Sequence, residues 1–208
     1  MNPLRQMLDG APLQDATGKP VEVRTLFEQA DGSPLPKPEK VAPTEAHAEG
    51  APPAADPSDR YVMLYFSAHW CPPCRGFTPV LSETYKQLKS QGKDVEVIFC
   101  SLDRTPQEFL SYAQTMPWMR LPFGDSRIQN ASSTVGAMFI PTLAIFRASD
   151  GQMISQNAVR SVQGDRSLAN YPWPGSASSP QQAIVRTVVR CFAVIVVLVM
   201  AAKYFGFA

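Results

Sequence analysis

Apolar and polar positions alternate in blocks along this chain, and the blocks predict its elements. Tyr61–Phe66 is an unbroken apolar run bounded by polar residues, the signature of a strand buried on both faces. From Pro73 to Leu88 the apolar residues Phe77, Val80, Leu81, Tyr85 and Leu88 return at helical spacing, with Pro79 inside the pattern, where it should kink the helix. Val95–Cys100 reads as a second buried strand, 107–114 as a helix, and Leu143–Phe146 as a strand that Asp150-Gly151 turns back into Met153-Ile154. Near the start, the turn residues Asp15 to Pro20 and the alternating Val21-Glu22-Val23 predict a β-hairpin beside a short helix. Strands alternating with helices and closed by a hairpin predict an α/β fold, a mixed central sheet flanked by helices.

Two stretches break the pattern. Residues 33–57 hold seven prolines (34, 36, 38, 43, 52, 53 and 57) and no large aromatic, so they are expected to form a disordered insert. At the other end every residue from Cys191 to Ala202 is apolar, flanked by Arg186, Arg190 and Lys203. The 12-residue run is shorter than the roughly 20 residues a spanning helix needs. Extended to residues 183–208, with its basic residues snorkelling to the headgroups, it predicts a C-terminal transmembrane helix. The expected organisation is a domain over 1–174, a linker over 175–182 and a membrane anchor over 183–208. Because Met1–Gly10 lacks the apolar core of a signal peptide, the reading is a tail-anchored protein with its domain facing the cytosol. The short, basic-flanked span points to the mitochondrial outer membrane, with the endoplasmic reticulum membrane as the alternative.

Charge and cysteine content narrow the chemistry. A formal net charge of +1 without a basic block gives no reason to expect nucleic acid as a partner. Four cysteines are too few for a secreted disulfide framework, which points to a reducing compartment. Cys71 and Cys74 stand Cys-x-x-Cys where an apolar strand runs into a helix. That order suits disulfide exchange. A thiol at a helix N-terminus has its pKa lowered from about 8.5 toward about 7 or below, and Pro72 and Pro73 fit a first turn whose N–H groups are unpaired anyway. Cys71 is therefore the expected nucleophile and Cys74 the resolving thiol of a redox-active disulfide. Trp70 should shelter one side. Zinc would need four ligands, and His47, His69, Cys100 and Cys191 form no second close pair, so no metal is expected. Pro141, just before a buried strand, is expected to follow a cis peptide bond that turns the Ile140 backbone toward the sulfurs.

These motifs resemble those of tryparedoxins, thioredoxin-fold proteins of kinetoplastid parasites. The likeness is carried by Tyr65-Phe66-Ser67-Ala68, by Trp70 to Pro79, by Met116-Pro117-Trp118 with Leu121-Pro122-Phe123, by Ile140 to Leu143, and by Pro172-Trp173-Pro174. Nucleoredoxins share part of it. Tyr65 stands where thioredoxins usually carry a buried aspartate. The resemblance implies electron transfer from trypanothione, a bis-glutathionyl spermidine dithiol, to peroxiredoxins or glutathione-peroxidase-like enzymes, with no bound cofactor beyond the disulfide and with the protein acting as a monomer. It also implies a substrate groove lined by Trp70, Pro73, Ile140, Pro141 and Arg160. The chain departs from the family at Arg104 and Met138, where acidic residues are usual, and at His69, where a serine is. A cation at Arg104 would repel a polyamine, so a different reductant, as in a nucleoredoxin-like protein, stays open, as does an adaptor working through the proline-rich insert.

Overall fold

In the computed structural model, residues 2–36 and 56–175 are described. Strand β1 (Tyr61–Ser67) is buried at all seven positions, and that decides the architecture. A strand with apolar side chains on both faces must lie inside the sheet, with cover above and below. It pairs in parallel with β2 (Val95–Ser101), Tyr61 opposite Val95 and Ser67 opposite Ser101. On its other side it pairs antiparallel with β4 (Thr142–Arg147), Tyr61 opposite Arg147. The short β3 (Met119–Arg120) and β5 (Met153–Ser155) complete a mixed sheet in the order β3-β2-β1-β4-β5.

Because side chains alternate along a strand, β1 feeds two cores. Tyr61, Met63 and Tyr65 meet Phe77, Leu81 and Leu88 of α2 (Pro72–Ser90), Phe109 and Tyr112 of α3 (Pro106–Ala113) and Val162 of α5 (Val159–Gly164). Val62, Leu64 and Phe66 meet Leu4 of α1 (Pro3–Met7) and Ile128, Ala131 and Val135 of α4 (Ser126–Val135). Helix α2 continues through Pro79 to Ser90. Arg127 of α4 donates to the carbonyls of Asp9 (3.1 Å) and Gly10 (2.9 Å), tying the N-terminal segment to the domain.

Three expectations are corrected. The N-terminal β-hairpin reduces to an isolated bridge between Gln14 and Pro20. Asp15 Oδ1 accepts the backbone N–H groups of Thr17 and Lys19, which closes a tight turn, and Val23–Leu26 then coils into a 3-10 helix in place of a strand. The start of the proline-rich stretch is ordered, against the expected disorder from 33: Glu28 bridges Pro34, and the Leu35 N–H donates to the Phe27 carbonyl. Its residues 37–55 lie outside the described residues. The C-terminal transmembrane helix is the third. Among the described residues no helix is long and apolar enough to cross a membrane. The described fold is therefore a thioredoxin-like mixed sheet with its helices; the expected transmembrane helix has no counterpart among the described residues, and the tail-anchored mitochondrial outer-membrane location, or its endoplasmic reticulum alternative, loses its support with it. Residues 183–208, which carried that expectation, lie outside the described residues, as does the linker from 176 onward.

Candidate active site

The site forms where β1 ends and α2 begins. Cys71 is the N-cap of α2, in extended conformation, and its Sγ accepts the backbone N–H of Cys74 at 3.3 Å. Pro72 and Pro73 occupy the first helical turn and are exposed. Cys71 and Cys74 form a disulfide, with Cα atoms 5.3 Å apart. Cys71 is 4% exposed and Cys74 fully buried, so the first sulfur is the one a substrate can approach. Both pack with Ala68 against Leu102 and Ile140. Once reduced, Cys71 would carry its charge at the positive end of a five-turn helix, beside an N–H already aimed at it.

The loop before β4 closes over this sulfur. The Ile140–Pro141 bond is cis, and the Ile140 carbonyl oxygen lies 3.8 Å from Cys71 Sγ. Ahead of it Met138 (83%) and Phe139 (80%) are the most exposed large apolar side chains among the described residues, so the sulfur opens onto an apolar rim. Trp70 forms the other wall. Its indole N–H donates to the Leu102 carbonyl at 3.0 Å, and the Arg104 guanidinium lies over its ring, 4.7 Å from the centroid. Asp103 holds the His69–Trp70 turn that leads into Cys71 by accepting the His69 N–H (2.6 Å) and the Ser101 hydroxyl (2.7 Å). Arg75 donates to the His69 carbonyl.

Beneath Cys74 lies a closed ring of hydroxyls that pattern reading did not find. Ser67 Oγ donates to the Tyr65 hydroxyl at 3.0 Å and shares a hydrogen bond of the same length with the Tyr112 hydroxyl. Thr78 Oγ1 is 2.9 Å from the Tyr65 hydroxyl and also pairs with Tyr112. The ring anchors the active-site helix, because Thr78 Oγ1 donates to the Cys74 carbonyl at 3.0 Å. Burial, reinforced by the neighbouring Tyr112, pushes the Tyr65 phenol well above its ordinary range, so it stays protonated and uncharged. A signal existed in the sequence: Tyr65 and Ser67 are two apart and share a strand face, and Thr78 lies one helical turn beyond Cys74.

Trp70, Pro73, Ile140 and Pro141 therefore gather around the disulfide. Arg160 stands on α5 and lines a cleft with Asn170, Tyr171 and Trp173. Burial drives the Cys100 thiol far up, which leaves that residue a packing group. Among the described residues no cluster of three or more histidine, cysteine or acidic side chains is placed to hold a metal ion.

Comparison with known proteins agrees with this geometry. A family model described as Thioredoxin-like matches residues 59–153. The tryparedoxin of Trypanosoma brucei brucei is 45% identical over 114 residues, which cover 54% of this chain and 78% of that protein. The nucleoredoxin of Danio rerio is 40% identical over a stretch of the same length, yet this chain spans only 27% of it. Among solved structures, tryparedoxin I from Crithidia fasciculata superposes with a TM-score of 0.63 at 30% identity, covering 83% of this chain and 98% of that one. A tryparedoxin II complexed with glutathionylspermidine matches with a TM-score of 0.53 at 36% identity, over 57% of this chain and 82% of that one.

Proposed function

Because the chain belongs to the tryparedoxin family and is a thiol–disulfide oxidoreductase, we propose that it passes electrons from a low-molecular-weight dithiol of the trypanothione type to disulfides of partner proteins such as peroxidases. The observation that carries this reading is a disulfide at the N-cap of α2, with Cys71 reachable and Cys74 buried. A complex of a related tryparedoxin with glutathionylspermidine supports the class of donor.

The steps follow from the geometry. One donor thiolate attacks Cys71 Sγ; the Cys71–Cys74 bond breaks and Cys74 leaves as a thiolate, stabilised by the helix N-terminus, and takes up a proton. The donor's second thiol, deprotonated, attacks the sulfur joined to Cys71, so the donor leaves as its own cyclic disulfide and Cys71 is freed as a thiolate. That thiolate attacks the disulfide of a partner. Cys74 then loses its proton and attacks the mixed disulfide, which releases the reduced partner and restores the Cys71–Cys74 bond. Two electrons and two protons pass from donor to acceptor in each cycle. Trp70, Pro73, Ile140 and Pro141 form the walls against which the reacting disulfide lies.

The test is the rate at which trypanothione, against glutathione, reduces the disulfide of the full chain. Selective reduction by trypanothione is expected. Equal, slow reduction by both would remove the proposed donor and leave the oxidoreductase chemistry with another reductant, as in the nucleoredoxin-like alternative.

A further inference from the structure

Arg104 is exposed and lies two residues beyond Leu102, which packs directly on the redox cysteines. Its guanidinium rests on the indole of Trp70, the residue preceding Cys71. The platform is itself fixed, since the indole N–H is tied to the Leu102 carbonyl. The neighbouring carboxylates are engaged elsewhere: Asp103 holds the His69 N–H and the Ser101 hydroxyl, and Glu108 Oε2 accepts the backbone N–H of Arg104 itself at 3.1 Å. Among the described residues no carboxylate pairs with the Arg104 side chain. A guanidinium lying over an aromatic ring still has N–H donors to offer, and a guanidinium edge matches a carboxylate in two parallel hydrogen bonds.

We propose that Arg104 is a specificity-determining residue that docks the γ-glutamyl carboxylate of the thiol donor beside Cys71. The inference rests on the donor class proposed above. In a donor whose glycine carboxylates are amidated by a polyamine, the γ-glutamyl carboxylates are the anionic groups that remain. The cation thus favours the glutamyl end of the donor at the Trp70 wall and turns the polyamine outward, because like charges placed together disfavour the opposite orientation.

The experiment measures reduction of the full chain's disulfide by glutathione, by its glycine monoethyl ester and by its diethyl ester, in the wild type and in Arg104→Gln. Dithiothreitol serves as an uncharged control. The expected result is a slowing of about fivefold for glutathione and for the monoester, the size of one exposed ion pair, with the diester and dithiothreitol unchanged and the effect fading at high salt. Equal slowing of all four thiols, or of none, would overturn the assignment. A loss confined to unesterified glutathione would also overturn it, placing the glycine carboxylate at Arg104. If dithiothreitol reduces the wild type but neither trypanothione nor any glutathionyl thiol does, the donor class fails and takes the docking role with it. If the glutathionyl thiols work and Arg104→Gln changes nothing, the docking role alone fails.

Discussion

The two ends of β1 are built from different materials. At its start, Arg147 forms ion pairs with Asp59 and Asp150, each at 3.1 Å, and Arg60 pairs with Asp94 at 2.7 Å. Burial there pushes the Tyr61 phenol up to about 12 and holds Asp59 above its ordinary value despite Arg147. At its finish, the polar groups packed beneath Cys74 are the hydroxyls of Tyr65, Ser67, Thr78 and Tyr112, all neutral. The difference has a chemical meaning. A thiolate must form at the Ser67 end, and a carboxylate packed beneath Cys74 would oppose that charge, whereas hydroxyls hold the helix without doing so; Asp103, at the same end, is turned to the His69 N–H and the Ser101 hydroxyl. At the Tyr61 end no charge has to appear, and ion pairs serve.

Substitutions at the two ends should separate activity from stability. Cys71→Ser should abolish disulfide reduction, a loss of a thousandfold or more in an insulin-reduction assay, with little change in the unfolding curve. Cys74→Ser should instead trap partners as mixed disulfides, visible by mass spectrometry. Removing the charge at the other end by Arg147→Met strands two carboxylates and should cost about 3 kcal/mol in denaturant unfolding, while the folded fraction retains its turnover. Opening the hydroxyl ring by Thr78→Val should cost about 1 kcal/mol. If that variant also lost most of its turnover, the ring would be part of the chemistry and not only its support.

The smallest effect concerns pH. Asp165 is held down to about 2, first by the Asn170 N–H, with Ser167 and the Trp173 indole N–H adding to it. Its folded pKa is below the unfolded value of about 3.9, so its stabilising contribution is full above about pH 4 and is lost as pH falls through about 2. Asp59 has the opposite sign: it binds its proton more readily folded than unfolded, so acid does not remove stability there. Asp165→Asn should therefore flatten the fall of Tm between about pH 4 and 2, while Asp59→Asn should not.

Much of this was legible from residue order. The apolar runs of β1, β2 and β4 and the stripe along α2 identify themselves, because burial on both faces, or on one stripe, leaves an unambiguous period. The Cys71-Pro72-Pro73-Cys74 turn was equally plain. Helix α4 was missed although it carries its own punctuation: Asp125 caps it, Ile128, Ala131 and Val135 face inward, and Gly136, at φ 66°, ends it in the left-handed region. Its short polar side chains diluted the pattern. The hydroxyl ring was hidden for another reason. Tyr112 and Thr78 are 34 residues apart and meet only because α2 and α3 cover the same face of the sheet, a long-range fact that no local window holds. The strand expected at Val21–Val23 ends after one bridge: the Val21 N–H donates to the Leu13 carbonyl, but the Leu13 N–H turns back to the Ala11 carbonyl, and Val23–Leu26 coils into a 3-10 helix.

Leu35 and Pro36, at the start of the proline-rich stretch, line a single cleft with Ser58 and Asp59, just after it. Both borders therefore sit at the Tyr61 end of β1, roughly 20 Å along the strand from the cysteines. This makes the junction a natural graft point. A fluorescent reporter or an affinity module spliced between Pro36 and Asp56 would enter and leave the domain at one spot, turned away from the redox face, so evolution or an engineer can rewrite that segment without editing the catalyst.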